Sequence, residues 1–145
     1  MAKSLAMKIA DEVKSMLTTP AMTSVAIPDV RTEPIHPTEL ESGTAINIEM
    51  GNEDPAQRIY IGRKDRQVRL ELTFIATGAS AVTNADAAMV EAHERLMQDE
   101  TLGGLAFDIE EAEVTRQNAL NGQRLAVIRK VYLVQYLTRE ESLQT

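Results

Sequence analysis

Two stretches of the chain repeat apolar residues at the spacing of a helix. Leu5, Ile9, Val13, Met16 and Leu17 recur at three- and four-residue steps, and Lys3, Lys8, Asp11, Glu12 and Lys14 fill the other positions. This predicts an amphipathic helix from Lys3 to Leu17. It stops at Thr18-Thr19-Pro20, because a residue preceding proline avoids the helical region. Ala85, Ala88, Met89, Ala92 and Leu96 form a second stripe, with Glu91, Glu94, Arg95 and Gln98 outside it. A second helix is therefore expected from Ala85 to Gln98, after a small-residue loop from Gly78 to Thr83, with Thr83 or Asn84 as its cap. It ends near Asp99, and Gly103-Gly104 marks the exit.

Elsewhere the period is two. Val68, Leu70, Leu72, Phe74 and Ala76 alternate with Gln67, Arg69, Glu71 and Thr73, the pattern of a long antiparallel strand with one buried face. Thr44 to Met50 alternates in the same way and is broken by Gly51-Asn52-Glu53-Asp54-Pro55. Shorter candidates are Val25-Ala26-Ile27, ended by Pro28-Asp29, and Ile59-Tyr60-Ile61, followed by a polar turn from Gly62 to Asp65. Arg31 to Ser42, with Pro34 and Pro37, reads as an extended loop. Leu105 to Val114 starts a strand with Phe107 and Ile109 inward and Asp108 and Glu110 outward. Asn121-Gly122 is a strong hairpin signal before the last strand, Gln123 to Leu137.

That last strand is apolar on both sides. Leu125, Val127, Val131 and Leu133 lie on one, and Ile128, Tyr132, Val134 and Tyr136 on the other. The element order predicts an α+β fold: a mostly antiparallel sheet of strands of mixed length with two main helices packed on it. All 145 residues, 1–145, fit one domain. A strand buried on both sides needs a second cover, either the first helix or another subunit.

Composition narrows the chemistry. The absence of cysteine excludes disulfides and thiolate metal sites. No apolar run approaches the roughly 18 residues of a membrane span, and Met1 to Lys14 lacks the apolar core of a secretory signal. A net charge of −7 argues against tightly held nucleic acid, and 3% aromatics without Trp argue against base stacking. His36 and His93 stand in no metal-ligand spacing. Gly103-Gly104 leaves a helix where a phosphate loop would open one, and Asn52-Glu53-Asp54 lacks the rest of a calcium loop. The expectation is a protein that is not an enzyme, with no cofactor, no metal and no catalytic residue.

Two charge clusters stand out. Arg58, Arg63, Lys64, Arg66 and Arg69 crowd one hairpin; Asp108, Glu110, Glu111 and Glu113 crowd the start of another. The plain reading is solvated surface. The sharper one makes them complementary sites for neighbouring subunits, since opposite charge fixes register and partner choice. On that reading each group meets its complement on a neighbouring subunit of a ring.

From Ala88, the run AMVEAHERLMQDETLGGLAFDIE leads from a helix through Leu96, Asp99 and Thr101-Leu102-Gly103-Gly104-Leu105 into an acidic strand. RLAVIRKVYLVQYLT then closes the pattern, with QVRLELTFIAT upstream. Over about Asp86 to Leu137 this resembles the tail terminator (tail-tube completion) proteins of long-tailed bacteriophages. The resemblance implies a structural virion protein at the head-proximal end of the tail, assembled in the host cytoplasm. It implies a homo-oligomeric, six-membered ring that caps the tail tube, ends its polymerisation and forms the surface that joins the head. Implied partners are other copies of itself, the tail tube protein and the head–tail connector, with DNA passing through unbound and no membrane. The loop Arg31 to Ser42 and the hairpin Gly62 to Arg66 depart from that pattern. They leave open another head–tail joining or minor tail protein, or an assembly chaperone. A small cytosolic enzyme or ligand-binding domain using His93 is the alternative from another class.

Overall fold

The computed structural model describes residues 3–25, 28–33, 43–53, 57–60, 62–120 and 124–139. Helix α1 (Leu5–Thr18) begins at Ser4, whose side chain accepts a hydrogen bond from the Met7 amide at 3.3 Å. It buries Leu5, Ile9, Ala10, Val13 and Leu17, the stripe expected from spacing. Helix α2 (Ala81–Gln98) starts one turn before the expected Ala85. Ser80 stands at the N-cap, and Thr83 and Asn84 lie inside the helix. Ala81 is fully buried, so packing continues the apolar stripe backwards into the small-residue run.

The strands are β1 (Asp29–Arg31), β2 (Gly43–Glu53), β3 (Gln57–Tyr60), β4 (Arg63–Thr77), β5 (Asp108–Leu120) and β6 (Arg124–Arg139). They form one sheet in the order β1-β2-β4-β6-β5. Among the described residues only β1 and β2 pair in parallel, Val30 opposite Ile46. The strand expected at Val25-Ala26-Ile27 falls mostly outside the described residues. Val25 is in a bend, Ala26-Ile27 lie outside the described residues, and the ladder begins at Asp29. A three-residue edge strand paired with a distant segment leaves little local pattern to read.

Strand β2 does not stop at Gly51; it bulges between Met50 and Glu53 and reaches Val68 of β4. Strand β3 then takes over along the same edge of β4, Gln57 opposite Asp65 and Arg58 opposite Lys64. The expected turn from Gly62 to Asp65 is accordingly shorter, since Arg63, Lys64 and Asp65 already belong to the ladder. Strand β6 runs antiparallel along all of β4, from Arg63 opposite Arg139 to Thr77 opposite Leu125. The β5–β6 hairpin closes with Leu120 opposite Arg124; its Asn121-Gly122 turn lies outside the described residues. The loop from Pro34 to Ser42 lies outside them as well.

Both helices lie on one face of the sheet. Leu5, Ile9, Val13 and Leu17 of α1 and Ala85, Ala88, Ala92 and Leu96 of α2 share one core with Ile46, Ile48, Leu70, Leu72, Phe74, Ile128, Tyr132 and Val134. Helix α1 therefore does not supply the second cover for β6. Asn47, on the other face of β2, is buried because its amide donates to the Arg31 and Glu33 carbonyls at 3.2 and 2.6 Å. Phe107, expected inward, is 48% exposed. Its amide pairs with the Gln135 carbonyl at 3.0 Å, but it stands on the edge of the sheet with no strand beyond it.

Candidate functional site

The face without helices is built from the alternate residues of β4, β6 and β5. Register sets Arg69 opposite Leu133, Glu71 opposite Val131, Thr73 opposite Arg129, Ile75 opposite Val127 and Thr77 opposite Leu125. From the other flank, Glu110 stands opposite Leu133 and Glu113 opposite Val131. Leu125, Val127, Leu133 and Leu137 are only half-buried, and no helix among the described residues covers them.

Charges close over the middle of this strip. Arg69 Nη2 meets Glu113 Oε1 at 2.8 Å, and Arg69 Nε lies 3.7 Å from Glu71 Oε1. Arg129 bonds Glu71 and reaches Glu113 at 4.0 Å. Two guanidinium groups and two carboxylates thus alternate around Val131, which is fully buried beneath them. Their aliphatic stems cover apolar surface while the charged heads stay wet.

The acidic cluster read from sequence is split by a bulge between Glu111 and Glu113. Strict alternation would put these two on one face; the extra residue, Ala112, sends them to opposite faces. Glu113 joins the lattice just described, and Glu111 accepts from Lys130 Nζ at 2.6 Å on the helix side. Asp108 Oδ1 accepts from the next amide, Ile109, at 2.9 Å. Glu110 remains exposed on the helix-free face. The basic cluster is divided too. Arg69 leaves it for Glu113, and Arg66 Nε donates to Thr138 Oγ1 at 2.7 Å. Arg58 and Lys64 face each other across β3 and β4, and Arg63 faces Arg139 across β4 and β6.

One polar cluster had no signal in the sequence. Tyr132 is fully buried; its hydroxyl lies 2.8 Å from His93 Nδ1, and the two rings stack at 5.9 Å. Lys130 Nζ sits 5.2 Å from the Tyr132 ring centre, and His93 Nε2 is 3.8 Å from Glu111 Oε1. The hydrogen bond from Lys130 holds the Glu111 carboxyl below its ordinary range, outweighing its partial burial. Burial, with the Glu111 charge, pushes the Tyr132 hydroxyl well up, so it stays protonated. The arrangement ties the edge strand β5 to β6 and α2. Residues so far apart in the chain offer no spacing by which to find it.

A shallow groove of about 810 Å³ runs between the end of α1 and α2, lined among others by Met16, Pro20, Ser24, Val90, Glu91 and Arg95. Two of its polar residues, Glu91 and Arg95, are engaged with the chain itself. Glu91 accepts from the Thr23 and Ser24 amides, and Arg95 donates to the Met16, Pro20 and Ala21 carbonyls. Burial raises the Glu91 carboxyl, but the bonds from Ser24 and Thr23 and the Arg95 charge outweigh it and leave it below the usual range. Among the described residues no group of His, Asp and Glu is placed to hold a metal ion, and no helix is long and apolar enough to cross a membrane.

No protein-family model matches the chain, and no curated protein matches it. Among solved structures it is similar to a chain of one described as "Virion of native gene transfer agent (GTA) particle". The two are 14% identical with a TM-score of 0.58, over 93% of this chain and 96% of that one. At that identity the likeness shows a shared fold.

Proposed function

We propose that this chain is a structural subunit of a phage-like virion, and specifically one that caps the tail tube as a ring. The observation that carries the reading is the sheet face without helices. Half-buried Leu125, Val127, Leu133 and Leu137 surround the lattice over Val131, and among the described residues no helix forms a second layer over them. A sheet finished on one side only is what a subunit offers to a neighbour, because apolar area gained on association stabilises the assembly. The fold shared with a chain of a gene transfer agent virion supports the same reading. So does the resemblance of Asp86 to Leu137 to tail terminators.

In this role the protein performs no reaction. Its copies end tube growth, present a surface to the head connector, and let DNA pass a ring whose subunits each carry −7. The test is to mix purified protein with tail tubes and image the tube ends by electron microscopy, with the mass of the free and bound forms measured in parallel. Rings seated at one end, with tube length then fixed, support the proposal. A protein that ignores tubes, or leaves the finished particle, is instead a neck component or a chaperone.

A further inference from the structure

The β3–β4 hairpin gathers cationic positions at one end of the sheet. Register sets Arg58 opposite Lys64 and, one row further out, Arg63 opposite Arg139. Among residues 57–66 there are four cations and one acid, Asp65. Alternation puts Asp65 on the opposite side of the sheet from Lys64, the side shared by the Arg63 and Arg139 positions, and its Oδ1 is buried without a hydrogen-bond partner. The segment carries a formal +3 in a chain of −7, so the remainder carries −10. Rows 136–139 of β6 also extend past the start of β5, which first pairs at Gln135. The tip projects beyond the edge strand.

We propose that this cationic tip docks on the acidic first half of β5 in a second copy of the chain. Strand β5 is a sheet edge, its residues from Glu110 to Asn118 are exposed, and Glu110 has no ion-pair partner among the described residues. An anionic surface complements this concentration of cations, and the chain provides one on the strand the tip overhangs. Because donor and acceptor surfaces differ, the contact is head-to-tail, the kind that closes into rings. Nucleic acid is the other anion to consider, and the −10 carried by the rest of the subunit disfavours it. The inference rests on the reading of the chain as a self-assembling subunit and names the contact that joins the copies.

The experiment mixes ¹⁴N- and ¹⁵N-labelled protein and joins amines to carboxylates with a spacer-free carbodiimide. Mixed-label peptides linking Lys64 to Glu110, Glu111 or Glu113 are expected, fading as salt rises. Exclusively same-label products overturn the proposal. Lys64→Glu and Glu110→Lys should each weaken self-association by about tenfold, roughly the 1.4 kcal/mol that separates decades of affinity. An equimolar mixture of the two should restore it, since each reversed surface then meets its complement. Unchanged association in both variants, or no rescue, overturns the proposal. So does duplex DNA bound by the wild type and lost on Lys64→Glu while self-association is untouched. Rings at tube ends with no charge dependence would remove this contact and leave the capping function standing. A salt-sensitive tip contact in a protein that ignores tubes would do the reverse.

Discussion

On the helix-covered face of the sheet, Leu70, Leu72, Phe74, Ile128, Tyr132 and Val134 are sealed under α1 and α2. On the opposite face the same strands present Arg69, Glu71, Arg129, Leu133 and Leu137, held by ion pairs and partly open to water. Strand β6 contributes to both with alternate residues. What differs is the second layer: α1 and α2 provide it on one face, and no helix among the described residues provides it on the other. Folding stability and assembly should therefore be separable, because they draw on different faces of one strand.

The largest contrast is in side-chain truncation. Leu72→Ala removes a fully buried side chain beneath the helices and should lower unfolding free energy by about 2–5 kcal/mol. Leu133→Ala, half-exposed on the other face, should cost about half of that or less in the free subunit, yet weaken assembly more. Urea titration of both variants checks the first part and sedimentation the second. Equal folding costs would mean that the second face is already covered.

Charge gives the next contrast. Arg95 is largely buried and bridges α2 to three carbonyls at the end of α1, so Arg95→Ala should cost about 1–3 kcal/mol. Arg69, more exposed, pairs over open surface, and Arg69→Ala should cost less than about 1 kcal/mol. The first of these regions is also acid-sensitive. Glu91 titrates below its ordinary 4.5 when folded, so below about pH 4.5 the unfolded chain binds the proton first. Stability from this group is complete above that value and lost as pH falls through the lower folded one. Urea midpoints between about pH 3 and 7 should decline on the acid side, and less steeply in Glu91→Gln.

A local effect of similar size concerns how the chain passes from α2 to β5. Gly103 has φ 72°, and a Cβ there would lie 3.0 Å from Glu12 Oε1. Gly103→Ala should cost about 1 kcal/mol, part of which Glu12→Ala returns by clearing the space. A thermal melt of the two single variants and the double variant resolves the coupling.

The helix-covered face was largely legible in the sequence. The α2 stripe and the alternation in β4 are local periodicities, and packing follows them. The other face was legible only as an apolar excess on β6, because its ion pairs join strands through register. The bulge at Ala112, which separates Glu111 from Glu113, leaves no mark in the sequence and divides a cluster that reads as one. Phe107 misled because alternation gives a side chain's face and says nothing of whether a strand lies beyond it. The turn before β4 was read too long, since polar residues can pair in a ladder as readily as they can turn.

Strand β6 lies between β4 and β5 but follows both in sequence. A ribosome therefore delivers the two outer strands before the one that joins them. Until β6 emerges to meet β4, from Leu125 opposite Thr77 to Arg139 opposite Arg63, the nascent chain holds at most the ladders among β1, β2, β3 and β4, and β5 has no partner. The contact is among the most distant in the chain, and such contacts form slowly. Neither the helix-free face nor the edge of β5 exists before that moment. On the proposed reading, copies still growing on neighbouring ribosomes have no finished surface through which to join until β6 inserts.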